Sequence, residues 1–138
     1  MASIKCSEFK KYVARLIFQG DETAVSDFYL GLGTGALPAV DDTLADITEV
    51  TGTGYARVQL SRGLTDFPTL AATGDDWKVT AVAATFAASG TWTGADFLFI
   101  CDVASGTAGR LFAAITLDAP FLLLSGESYD AILEYLDD

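Results

Sequence analysis

Histidine is absent from this 138-residue chain. Ser-His-Asp and Cys-His catalysis need an imidazole base, and most zinc sites include an imidazole ligand. The sequence therefore excludes these catalytic classes and argues against a zinc site. We predict a protein that is not an enzyme, with no catalytic residue, no cofactor and no bound metal.

Positive charge is also scarce. Lysine and arginine number 8 against 19 acidic residues, which gives a formal net charge of −11 at pH 7. A chain of this charge repels phosphate backbones, so we expect no nucleic-acid partner. Its apolar runs fall short of the ~20 residues needed to span a bilayer, and charges interrupt the start of the chain, unlike a secretory signal. We therefore expect no membrane partner.

Two cysteines, Cys6 and Cys101, are too few for a disulfide framework. Cys101 lies in the apolar run 97–101, where we expect a small buried hydrophobe. Cys6 lies among polar residues. We favour free thiols in a protein assembled in a reducing compartment, and keep a bridge between the two as the less favoured alternative.

The balance of charge changes at about residue 20. Residues 1–20 hold four basic residues and one acidic residue, whereas residues 21–138 hold four basic and 18 acidic residues. The first segment predicts a basic amphipathic helix that is capped by Ser3 or Ser7 and ends at Gly20. Its apolar stripe consists of Phe9, Tyr12, Val13, Leu16 and Ile17. This helix either packs on its own domain, which we favour, or is an arm whose stripe forms an interface with an acidic patch of a neighbouring subunit.

After Gly20 the apolar pattern indicates strands. They are expected at residues 25–32, 55–60, 78–87, 96–103 and 110–117, with a short piece at 121–124. The segment 96–103 is apolar on both faces and predicts the middle of a sheet, and the glycine-bearing link 104–109 favours a hairpin. The last segment, from residue 129, fits a helix or a strand, and we favour a strand. The predicted fold is mainly β: an N-terminal α-helix (1–20) and an antiparallel, jelly-roll-like β-sandwich (21–138).

Two motifs give only weak evidence for a ligand site. The letters G-L-G-T-G-A at residues 31–36 match a dinucleotide fingerprint, but a proline and two aspartates follow where a helix N-terminus is needed, so we predict a flexible loop. The acidic residues at 41–49 lack the spacing of a calcium loop, and we favour a solvated acidic face over a loose cation contact. These residues are Asp41, Asp42, Asp46 and Glu49.

A set of short segments occurs in a suggestive order. They are F-Y-L-G-L-G-T-G (28–35), T-E-V-T-G-T-G-Y-A-R-V (48–58), W-K-V-T (77–80) and D-V-A-S-G (102–106). Together they resemble small bacteriophage virion proteins of the head-decoration or tail-fibre-like kind, which carry a T-E-V-x-G-x-G-Y-A-R block. The resemblance spans about residues 25 to 135. It departs at residues 106–109, where the family has adjacent glycines, and it does not extend to the basic helix.

The block also has a physical interpretation. Gly52 and Gly54 allow a turn with positive φ before a strand. Tyr55 and Arg57 then project from one face, where Arg57 pairs with a carboxylate such as Glu49 or stacks on Tyr55. We favour a local strap that fixes the register of this strand over a binding role.

The resemblance implies a non-enzymatic virion structural protein, and we favour a capsid decoration (cement) protein. We expect it in the virion after assembly in the host cytoplasm, bound to the major capsid protein or to tail proteins. A positive mean hydropathy with low charge suggests a homo-oligomer, for which a trimer is one candidate. A tail- or baseplate-associated protein is one alternative. A carbohydrate-binding β-sandwich is another, and it requires Trp77 or Trp92 to be exposed.

Overall fold

The computed structural model describes residues 3–137 and shows two antiparallel sheets with one N-terminal α-helix. The strands are β1 (Ser3–Lys5), β2 (Asp27–Gly33), β3 (Val58–Ser61), β4 (Thr69–Thr73), β5 (Asp76–Ala87), β6 (Ala95–Cys101), β7 (Leu111–Phe121) and β8 (Ser128–Asp137). Helix α1 (Ser7–Ala14) continues into a π-helical turn (Arg15–Gln19), and a 3-10 turn covers Leu44–Asp46.

The strands form one large and one small sheet. The large sheet has the order β1-β7-β6-β2-β3 and the small sheet has the order β4-β5-β8. Leu30 and Leu98 of the large sheet belong to the same buried cluster as Ala84 and Phe86 of the small sheet. Because the two sheets share this core, the predicted antiparallel β-sandwich with an N-terminal helix is confirmed.

Strand β6 lies in the middle of the large sheet, between β7 and β2, as its two apolar faces predict. Phe97, Phe99 and Cys101 point to one face, and Leu98 and Ile100 point to the other. β6 and β7 are antiparallel neighbours, so the predicted hairpin at 104–109 is confirmed.

The predicted loop at 31–36 is wrong in its first half, because Gly31 and Gly33 are the last part of β2. Phenyl rings from β6 lie directly on their backbone. A Cβ at Gly31 would be 2.2 Å from Cζ of Phe99, and one at Gly33 would be 2.1 Å from Cζ of Phe97. These glycines therefore provide room for rings rather than loop flexibility.

Other expected boundaries also shift. The segment predicted at 55–60 is a strand only from Val58, since Tyr55 and Arg57 are held by side-chain bonds described below. Residues 122–124 lie outside a strand, because β7 ends at Phe121. β8 confirms the strand favoured for the last segment.

The start of the N-terminal segment differs from the predicted helix. Ser3 lies in β1, which pairs with β7, so residues 3–5 extend the large sheet. The helix N-cap is Cys6, which makes no side-chain capping bond, and the Ser7 hydroxyl donates to Asp41 instead. The predicted serine caps are thus wrong. The end is as expected, since Gly20 adopts a left-handed φ of +62°.

The helix packs on its own chain and closes one end of the sandwich. The Phe9 ring centroid lies 5.5 Å from that of Phe112 in the large sheet and 5.8 Å from that of Tyr135 in the small sheet. The Tyr12 hydroxyl accepts a hydrogen bond from the Val25 N–H at 2.8 Å. This is the first of the two arrangements considered for the helix. No helix within residues 3–137 is long and apolar enough to cross a membrane.

Candidate functional site

The T-E-V-x-G-x-G-Y-A-R block forms a tight turn against the loop that precedes β6. Gly52 and Gly54 have φ values of +152° and +83°, as the turn requires. A Cβ at Gly52 would be 2.7 Å from the Cα of Trp92, so only glycine fits there. The Thr53 carbonyl accepts a hydrogen bond from the indole N–H of Trp92 at 2.8 Å, which fixes the turn to the core.

Arg57 is the centre of the block, and its side chain is only 4% exposed. Its Nε and Nη2 donate to the two carboxylate oxygens of Glu49, each at 2.9 Å. This is the fork geometry in which a guanidinium binds a carboxylate most specifically. The expected pairing with Glu49 is therefore present, whereas the guanidinium lies over the ring of Phe99, at 5.3 Å, rather than over Tyr55.

The other guanidinium protons are bound by the hairpin between β6 and β7. Nη1 donates to the Val103 carbonyl at 3.0 Å and to the Cys101 sulfur at 3.5 Å, and Nη2 donates to the Gly106 carbonyl at 2.9 Å. A guanidinium has five N–H donors, so all of them are engaged. These bonds connect Glu49 and the segment 101–106 to Arg57, which directly precedes β3. No N–H donor of Arg57 is left to bind a ligand.

Tyr55 completes this group. Its hydroxyl donates to Glu49 at 2.6 Å and accepts the Leu32 N–H at 3.0 Å. Burial, followed by the hydrogen bond to Glu49, raises the pKa of Tyr55 far above its ordinary value, so the phenol is neutral. The sequence places Tyr55 on the same face as Arg57 but does not reveal this link, because the bond to β2 depends on the fold.

Electrostatic interactions keep the guanidinium of Arg57 charged. Burial is the largest single influence on the pKa of Arg57 and lowers it, but the hydrogen bond to Glu49, together with the electrostatic contributions of Cys101, Glu49 and Tyr55, outweighs burial and the pKa is raised. Burial raises the pKa of the Cys101 thiol, whose sulfur contacts the Val103 carbonyl at 3.3 Å. The group thus consists of one bound ion pair beside a neutral thiol and a neutral phenol. This is the geometry that a local strap requires.

The acidic residues near this block bind separate neighbouring groups. The Asp42 carboxylate accepts the Ala39 N–H at 2.7 Å, and the Asp46 carboxylate accepts the Thr43 N–H at 2.8 Å. Glu49 is occupied by Arg57 and Tyr55. Within residues 3–137, no group of three histidine, cysteine, aspartate or glutamate side chains is arranged to hold a metal ion.

The stripe predicted as an interface lies mostly inside the chain. Tyr12 is buried, and Phe9, Val13 and Leu16 pack around it and Phe112. Ile17 is the exception, at 64% exposure, and it adjoins Phe18, which is 86% exposed. A role for these residues in contacts with another subunit stays a prediction.

Large apolar side chains reach solvent in several places. Trp92 is buried, whereas Trp77 is 55% exposed. The exposed set comprises Ile17, Phe18, Leu64, Leu70, Trp77, Val82, Leu122, Leu124 and Ile132. The sequence indicated only Ile17 and Trp77, since exposure of an isolated apolar side chain has no sequence signal. These side chains, rather than the occupied Arg57 group, are the candidates for contact with other molecules.

Comparison with the models of known protein families gives no match. Comparison with curated proteins likewise finds no similar sequence.

Proposed function

We propose that this chain is a non-enzymatic bacteriophage virion structural protein, and specifically a capsid decoration protein. The order of the segments from residue 28 to residue 106 supports the virion class. The distribution of exposed apolar side chains supports attachment to other proteins, and it is the observation that carries the proposal. Isolated exposed leucines are ordinary, but nine large apolar side chains exposed among the described residues provide contact surface in more than one direction.

A decoration protein stabilises a head by burying surface on the capsid proteins beneath it. A contact of ~1,600 Å² is enough for specific attachment. With a net charge of −11, this chain gains most from contacts that are centred on uncharged groups. The Arg57 group then has a supporting role, because it holds the turn and the β6–β7 hairpin in fixed positions.

The direct test is binding of the purified chain to expanded capsids that lack it, followed by sedimentation and by heating of the particles. We expect the chain to sediment with the capsids and to raise the temperature at which they rupture. Aspartate substitutions at Phe18, Leu64 and Leu124 probe three exposed apolar positions, and Gln19→Asp, Thr65→Asp and Ser125→Asp are the neighbouring controls. At least one apolar variant should lose binding while its control retains it. Capsids that neither bind nor gain stability would refute the decoration role.

A tail or baseplate position is the nearest alternative, and gold-labelled antibodies on intact particles distinguish it. Labelling of the head supports the decoration role, and labelling confined to the tail replaces it.

One observation favours a second candidate, a carbohydrate-binding module. Trp77 is exposed at the end of the small sheet, and exposed indoles stack on sugar rings. Soluble oligosaccharides should then quench the fluorescence of the wild-type chain and leave that of Trp77→Phe unchanged. Absence of quenching across a broad panel of sugars removes this candidate.

A further inference from the structure

Strand β4 is an open edge of the small sheet. Its five residues, Thr69–Thr73, are all exposed, and β4 pairs on one side only, with β5. Among the described residues, no other group bonds to the backbone of β4. An edge of this kind presents N–H and C=O groups to any strand that approaches it, and proteins usually guard such edges with charge, proline or a bulge. β4 has the sequence T-L-A-A-T and pairs in unbroken register, so no charge, proline or bulge interrupts it, and Pro68 lies just before its first residue.

The other edges are shorter or guarded. β1 has three residues and includes Lys5. In β3, the Ser61 N–H is already bound by the Asp66 carboxylate at 2.7 Å. β8 carries Asp130 and Glu134 along its length. β4 is thus the described edge that is best suited to accept another strand.

The face of β4 that points toward the large sheet is apolar but uncovered. Residues directly opposite each other share a face of a sheet, and Leu70 lies opposite Val79 while Ala72 lies opposite Trp77. Leu70 is 67% exposed and Trp77 is 55% exposed, so the small sheet extends beyond the cover that the large sheet provides. On this uncovered strip of β4, Leu70 presents a large side chain and Ala72 presents a small one.

We propose that β4 pairs antiparallel with β4 of a second copy of this chain, joining two three-stranded sheets into one continuous sheet. Centred on Ala71, this pairing sets Leu70 opposite Ala72 of the partner subunit and Thr69 opposite Thr73 of the partner subunit. The large side chain of each copy then meets the small side chain of the other. Trp77, Ala72 and Leu70 of the partner subunit then form one apolar row across the three paired strands. The two copies of the strip are therefore complementary to each other.

The uncharged edge permits a second copy to approach, and its self-complementary side chains favour that copy over a foreign strand. Two copies that each carry −11 repel one another over most of their surfaces, and β4 is a five-residue stretch without any charge. Like-charged copies therefore approach there at the least electrostatic cost. A partner of opposite charge would be selected by carboxylates, which this edge lacks. Pairing of two identical edges closes a two-fold contact, so it predicts dimers and not the trimer considered from the sequence.

The first test is the mass of the isolated wild-type chain across a concentration series, by sedimentation equilibrium. We expect a reversible monomer–dimer equilibrium. Leu70→Lys adds charge to the edge and should shift it to monomer, whereas Ile132→Lys should leave it unchanged. Ile132 is the matched control because it is 61% exposed on the opposite edge strand of the same sheet. A wild-type monomer at every concentration, a trimer, or equal loss in both variants would overturn the pairing.

The second test locates the contact. Ala71→Cys should form an intermolecular disulfide with copper–phenanthroline in air, because opposing Cα atoms of paired strands lie within the 4.4–6.8 Å that a disulfide spans. Ala83→Cys, at an exposed site on the central strand β5, is the control and should not cross-link. The native Cys6 and Cys101 are buried and do not contribute. Failure at residue 71, or equal cross-linking at residue 83, contradicts the proposed edge.

This contact gives a specific form to the homo-oligomer expected from the sequence, and both tests use the isolated chain without capsids. A chain that dimerises through β4 and fails to bind capsids refutes the decoration role alone. A chain that binds capsids as a monomer refutes the β4 pairing alone.

Discussion

The two sheets of the sandwich differ in how completely they are covered. The large sheet is packed on both faces: the shared core covers one, and a second cluster, to which Leu44 and Cys6 contribute, covers Phe97 and Phe99 on the other. The small sheet has packing on its inner face only, and β4 has no buried residue at all.

This difference suggests a division of labour. The large sheet carries most of the apolar burial and also holds the Arg57 group at its outer side, so it determines whether the chain folds. The small sheet contributes less burial and, among the described residues, leaves an edge and four large apolar side chains in water, those of Leu70, Trp77, Val82 and Ile132. We expect substitutions in the large sheet to change stability and substitutions at the open end of the small sheet to change association.

The largest effect should come from Phe99→Ala. Phe99 is fully buried in β6, and its ring lies on the backbone of Gly31, so truncation removes packing and leaves a cavity. We expect a loss of about 3–5 kcal/mol in the free energy of unfolding, measured with urea. Trp77→Ala, in the small sheet, removes a larger ring and should cost no more than about 1 kcal/mol. Equal losses would contradict the division between the sheets.

Next in size is removal of the buried guanidinium. Arg57→Met leaves Glu49 without its cationic partner and should cost about 3 kcal/mol. Arg62→Met, at an exposed arginine, is the control and should change stability by less than about 0.5 kcal/mol. The double variant Arg57→Met/Glu49→Gln should lose less unfolding free energy than the sum of the losses in the two single variants, because one interaction joins the two residues. Simple additivity would mean that the pair contributes nothing of its own.

The sequence predicted those parts of the structure that depend on residues close together in the chain. The two apolar faces of β6 predicted a central strand, and Glu49 was one of the two partners, with Tyr55, that the sequence suggested for Arg57. β4 was missed because T-L-A-A-T is exposed on both faces and so lacks alternation of apolar and polar residues. Cys6 has polar neighbours in sequence, yet it is buried because β1 draws it against Phe112, where its N–H donates to the Phe112 carbonyl at 2.8 Å. Long-range pairings of this kind leave no local pattern.

A moderate and pH-dependent effect should arise at Cys6. Burial, with smaller contributions from Glu8 and Asp42, raises the pKa of this thiol from 9.0 to about 11. The folded chain therefore holds the neutral thiol at pH values where the unfolded chain ionises it. The associated stability is fully present below pH 9.0 and is lost as the pH rises toward about 11.

The measurement is the unfolding free energy of wild type and Cys6→Ala at both ends of this range. The wild type should lose about 2 kcal/mol more than the variant, which has no thiol to ionise. The comparison between the two chains matters because tyrosines and lysines titrate in the same range and affect both. Parallel pH profiles would show that Cys6 is not held neutral by the fold.

The smallest effect on stability should come from the open edge. Leu70→Lys should change the unfolding free energy of the dilute chain by less than about 0.5 kcal/mol, because the side chain it replaces is mostly in water. Thermal unfolding at low protein concentration checks this. A large loss would show that Leu70 contributes to the fold, and its exposed position would then have to be reinterpreted.

Hydrogen–deuterium exchange of the isolated chain, compared between dilute and concentrated solution, tests the division of labour most directly. We expect the amides of β2 and β6 to exchange slowly and equally in both, whereas the amides of β4 that point away from β5 exchange quickly when dilute and become protected when concentrated. Protection of these β4 amides that equals that of β6 in dilute solution, or a concentration-dependent change in β6 and none in β4, would contradict this division.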